Sequence, residues 1–85
     1  MNEPRKESLA ALLAWFSSLG LTKVETILSA QVSALLFRMH LGNVACDDLD
    51  AHGYIVTGLD YGRRIAFTEK TKEFLRKSWV APSHD

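Results

Sequence analysis

Leu9, Leu12, Leu13, Phe16 and Leu19 recur at steps of three and four, a spacing that predicts an amphipathic helix over 4–19. Pro4 suits its first turn, Asn2 or Glu3 its cap, and Gly20 its end. Thr22-Lys23-Val24-Glu25 then has the form of a capping box. Behind it Val24, Ile27, Leu28, Val32, Leu35, Leu36 and Met39 keep helical spacing up to Gly42. The pattern predicts one long second helix over 23–41, with Ser29 as the point where it would break. Asn43 is a good N-cap for a short third helix of about 44–52, ended by Gly53. The period then changes. Tyr54-Ile55-Val56-Thr57 is β-prone throughout, Gly58 to Gly62 is a turn bracketed by glycines, and Arg63-Arg64-Ile65-Ala66-Phe67 alternates. These segments predict a β-hairpin. Thr68 caps a last helix of about 69–79 carrying Phe74, Leu75 and Trp79, and 81–85 is expected to be a disordered tail.

Composition adds exclusions. At 85 residues, 47% hydrophobic and 24% charged, the chain fits one folded α+β domain, expected over 1–80. A domain of this size buries only roughly 60% of the surface of its unfolded chain. One cysteine, Cys46, excludes an intramolecular disulfide and the multi-cysteine zinc patterns. No apolar run reaches about 18 residues, and the first residues lack the features of a secretory leader. A cytoplasmic location without membrane contact is expected. His40, Cys46 and His52 are spaced by six, which matches no zinc pattern. No phosphate-binding glycine loop occurs, and Ser17, Ser18, Ser29 and Ser33 have no His–Asp pair nearby in sequence. The expectation is a non-enzyme with no cofactor and no metal.

Charge is zero overall but unevenly placed. Residues 43–60 carry Asp47, Asp48, Asp50 and Asp60 and no basic residue. Residues 61–80 carry Arg63, Arg64, Lys70, Lys72, Arg76 and Lys77 against Glu69 and Glu73. Such asymmetry bears on partners and association, not on fold.

The order helix, helix, short helix, hairpin, helix resembles a winged helix-turn-helix domain with three N-terminal helices, a two-stranded β-hairpin wing and a C-terminal helix. Asp48-Leu49-Asp50-Ala51-His52-Gly53-Tyr54-Ile55 looks like the end of a recognition helix entering the first wing strand. Asp60-Tyr61-Gly62-Arg63-Arg64-Ile65-Ala66-Phe67 looks like the wing tip and return strand. Thr68-Glu69-Lys70-Thr71-Lys72-Glu73-Phe74-Leu75 is similar to the threonine-capped helix after the wing in multiple-antibiotic-resistance-repressor-like regulators, which usually have glycine where this chain has Thr71. The resemblance implies a DNA-binding regulator whose third helix reads base edges. Here that helix has three carboxylates and no Lys or Arg, which opposes entry into a polyanionic groove.

Two functions follow. The first is a small DNA-binding regulator using its basic wing and last helix, with Asn43, Arg63, Arg64, Lys70 and Lys72 as contacts. The second is a non-catalytic protein-interaction module that presents Asp47, Asp48 and Asp50 to a basic protein surface. Trp15 flanks the stripe of the first helix and Trp79 ends the last one. Because a small core hides few large aromatics, both are expected at a homodimer interface between the terminal helices; the alternative is that both complete the core of the monomer.

Overall fold

The computed structural model describes residues 3–20 and 24–78. The expected Thr22 capping box, Trp79 and the tail 81–85 lie outside the described residues. The chain forms an α+β domain of several helices and a three-stranded antiparallel sheet. In order these are α1 (Lys6–Ser18), a 3-10 helix (Val24–Ser29), β1 (Gln31–Ser33), α2 (Ala34–Leu41), α3 (Asn43–Ala51), β2 (Ile55–Gly58), β3 (Arg64–Phe67) and α4 (Glu69–Ser78). No helix among the described residues is long and apolar enough to cross a membrane.

The long second helix does not form. A 3-10 helix and β1 take the place of its first half, and only 34–41 is α-helical. Val24, Thr26, Ile27 and Val32 are β-branched, which weakens helical preference there. The competing gain is pairing: Gln31, Val32 and Ser33 lie opposite Ala66, Ile65 and Arg64 of β3. Ser33 then starts α2, its hydroxyl accepting from the Leu36 amide at 3.2 Å. The hairpin strand β2 pairs with the other side of β3, Ile55 opposite Phe67 and Val56 opposite Ala66. The sheet therefore has three strands in the order β1-β3-β2, not two, and the basic strand is its centre.

One face of the sheet closes the core. Ile55, Ile65 and Phe67 are buried with Leu12 and Phe16 of α1, Ile27, Phe37 of α2, Cys46 and Leu49 of α3, and Leu75 of α4. Trp15 belongs to this core and is only 7% exposed. Its ring meets Phe37 edge-on at 4.9 Å and Phe16 at 5.0 Å, with Phe67 at 5.6 Å. The expectation of Trp15 at a dimer interface is thus corrected. Two flanks of α1 are covered, by α3 and by α2, so its apolar stripe is broader than one row of leucines.

Two junctions set the orientation of the hairpin. At the end of α3 the Tyr54 amide donates to Leu49 O at 2.9 Å and the Gly53 amide to Asp50 O at 3.1 Å. This is a Schellman ending, and it requires the left-handed φ of +78° that Gly53 adopts. The Tyr54 carbonyl then accepts from the hydroxyls of Thr68, at 3.2 Å, and Thr71, at 2.6 Å. Thr71 is fully buried and pins α4 to the start of β2.

At the far end Asp60 and Tyr61 both have positive φ, +53° and +59°, followed by Gly62 at +87°. A left-handed turn costs a non-glycine residue roughly 1–2 kcal/mol, less for Asp than for Tyr. The Tyr61 side chain is 98% exposed, so no buried contact offsets that cost. Tyr61→Gly is expected to stabilise the domain by about 0.5–1 kcal/mol, since glycine's greater freedom when unfolded takes back part of the gain. A urea midpoint at or below that of the wild type would show that the tyrosine ring contributes to folding.

Candidate interaction surfaces

The three carboxylates of α3 have three different environments. Asp48 points at α1. Its Oδ2 accepts from the Arg5 amide at 2.8 Å and from the Ser8 hydroxyl at 2.7 Å. His52 Nδ1 lies 3.2 Å from the other oxygen, and the Asp48 side chain is only 15% exposed. Arg5 precedes α1 and has no side-chain cap of its own, so a carboxylate from another helix satisfies the start of α1 in place of Asn2 or Glu3. The amide and hydroxyl donors, in that order, hold the Asp48 carboxyl below its ordinary value. This aspartate, expected on an outward docking face, is therefore used inside the domain. Asp47 faces outward but pairs with Arg38 of α2 at 3.3 Å. Asp50 is exposed and has no cation within ion-pair range among the described residues. Asn43 is the first residue of α3, not its cap, and its side-chain oxygen accepts from Arg38 at 3.1 Å.

Most basic residues of the hairpin and last helix are also engaged. Arg64 Nε lies 3.7 Å from Asp60, across the left-handed turn. Lys70 Nζ donates to His52 O at 2.8 Å and sits 5.9 Å from the Tyr54 ring. Lys72 reaches Glu69 at 4.0 Å, and Arg76 bridges Glu73 and Glu25. Among the described residues no carboxylate pairs with Arg63. The hairpin and α4 do not form a continuous row of free cations.

The sequence pattern missed the outer face of α2. Phe37 is buried, and Ala34 and Leu41 pack against the same core. Helical geometry sends Leu35, Leu36 and Met39 to the opposite side, where they are 68%, 64% and 72% exposed. Val44, at the start of α3, is 65% exposed beside them in the chain. All four are legible as apolar residues, but a continuous helix over 23–41 places Leu35, Leu36 and Met39 on its buried stripe. The intervening β1 breaks the phase, so that stripe points outward. Next to Val44 a groove of about 480 Å³ opens between α1 and the α2–α3 corner, with Arg5 and Glu7 as well as Ala11, Leu41, Val44 and Ala45 among its walls.

The Ser8 hydroxyl is buried and donates to the Asp48 carboxylate, so the Ser8–Asp48–His52 cluster joins two helices. Cys46 is buried, and burial pushes its thiol up from the ordinary value. Among the described residues no group of three His, Cys, Asp or Glu side chains could hold a metal ion. Compared with known family models, curated proteins and solved structures, the chain matches none.

Proposed function

We propose that this protein is a non-catalytic interaction module with a winged helix-turn-helix arrangement, and that it docks a protein through the outer face of α2 and the start of α3. One observation carries the reading: α2 is apolar on both faces. A helix in water normally presents polar residues opposite its buried stripe, and one that is hydrophobic all round belongs in an interior. Leu35, Leu36 and Met39 stand where that polar face belongs. Contiguous exposed apolar surface of this kind marks interaction sites.

The DNA-binding reading has less support. DNA affinity comes mostly from cations that neutralise phosphates. Of its five candidate contacts, Asn43, Arg64, Lys70 and Lys72 already hold partners inside the domain. The exposed side of α3 presents Asp47 and Asp50 to any groove.

The two readings separate in one experiment. A photocrosslinking side chain placed at Met39, and in a second variant at Tyr61, is irradiated in cells expressing the protein. The expected result is a protein adduct at position 39 and none with nucleic acid at position 61. Nucleic-acid adducts at Tyr61, with no protein adduct at Met39, would overturn the proposal in favour of DNA binding by the hairpin.

A further inference from the structure

We infer that the occupant of the α2 face is a second copy of this chain, docked about a two-fold axis with α2 against α2. The inference rests on the docking reading above and names its partner. It replaces a dimer built on Trp15, which is spent in the core.

Symmetry supplies the first reason. At a two-fold contact the same patch lies on both sides, so a patch that carries charge of one sign meets that sign again. The outer face of α2 consists of Leu35, Leu36, Met39 and His40, with no carboxylate, lysine or arginine. Arg38 lies to the side and is paired with Asp47 of its own chain. This face can meet itself without repulsion, whereas α3, with Asp47 and Asp50 outward, cannot. The second reason is the charge of the whole chain. It is zero at pH 7, so no long-range repulsion opposes two copies meeting.

Shape supplies the third. Leu35 and Met39 are one turn apart and form a ridge, with Leu36 beside it, the element that packs into the grooves of a facing helix. Methionine is flexible enough to enter an irregular hollow. The contact is small, because an eight-residue helix is only about 12 Å long. A contact along so short a helix falls below the ~800 Å² per partner of a standard interface, and a dissociation constant in the range of tens of micromolar is expected.

Sedimentation equilibrium of the purified full chain, over roughly 5 to 500 μM, tests this. The expected result is a reversible rise from 9.5 kDa towards twice that mass. Leu36→Glu and Met39→Glu, both on exposed positions, should each abolish the rise while leaving the circular dichroism and thermal midpoint of the dilute monomer unchanged. An equimolar mixture of Met39→Glu and Met39→Lys should recover association that neither variant shows alone. A mass of 9.5 kDa at every concentration, or a dimer that survives both glutamate variants, overturns the inference. If the wild type is monomeric but position 39 still crosslinks to another protein, the dimer falls and the docking reading stands. If neither occurs, both fall.

Discussion

Trp15→Ala is expected to unfold much of the protein at room temperature. The indole is 7% exposed and packs against Phe16, Phe37 and Phe67, so it joins α1, α2 and the central strand. Truncating a buried aromatic costs about 3–5 kcal/mol, through lost transfer energy and the cavity left behind. A chain of 85 residues has a total stability of about 4–13 kcal/mol at 0.05–0.15 kcal/mol per residue. The substitution therefore removes a large share of it. Trp15→Phe keeps one ring and should cost much less, about 1–2 kcal/mol. Urea titration followed by far-ultraviolet circular dichroism measures both. A Trp15→Ala variant with the wild-type midpoint that sediments at half the mass of the wild-type dimer would return the tryptophan to an interface.

The contrast between Trp15 and Leu35 shows which parts of this fold were readable in the chain. α1, α3, the hairpin and α4 are specified by near neighbours: a run of leucines at helical spacing, Gly53 at a left-handed turn, alternation in Arg64–Phe67. Those signals act within a few residues, and the elements appear within two or three residues of the expected limits. β1 is different. It is three residues long, and its partner lies more than thirty positions further on. Its apolar residue Val32 also fits the helical spacing, so periodicity alone cannot separate strand from helix there. Without β1 the helical phase of α2 is set wrongly, and its exposed leucines fall on the core side. The error at Trp15 has the opposite origin. A single-stripe picture of α1 leaves its flank outside, but the domain packs two helices on α1 and draws the flank in. The role of Asp48 was invisible for a third reason. Its partners Arg5 and Ser8 stand about forty residues earlier in the chain, and no local pattern joins a carboxylate in one helix to the first turn of another.

Asp48→Ala is expected to be the most damaging single change at any charged residue of the described chain, and to weaken acid sensitivity at the same time. Removing the carboxylate leaves the Arg5 amide without its cap and strands the buried Ser8 hydroxyl. A buried donor without a partner costs more than a typical hydrogen bond contributes. Both losses fall on the joint between α1 and α3, so the first turn of α1 should fray before the rest of the domain unfolds. Asp48→Asn keeps one acceptor oxygen and should recover part of the loss. The pH dependence follows from the direction of the shift. Amide and hydroxyl donors hold the folded-state carboxyl of Asp48 below its ordinary value of about 3.9. The unfolded chain therefore binds the proton more tightly. The stabilising contribution is complete above about pH 4 and is lost as pH falls through the lower, folded value. Glu25, held down first by its own backbone amide and also by Arg76, acts in the same direction. Thermal midpoints between pH 2 and 7 should thus fall steeply at the acid end for the wild type and less steeply for Asp48→Asn, with Glu25 accounting for part of the slope that remains. Parallel acid limbs for wild type and variant would mean that Asp48 is not ionised against the start of α1, and that the two helices are joined by packing alone.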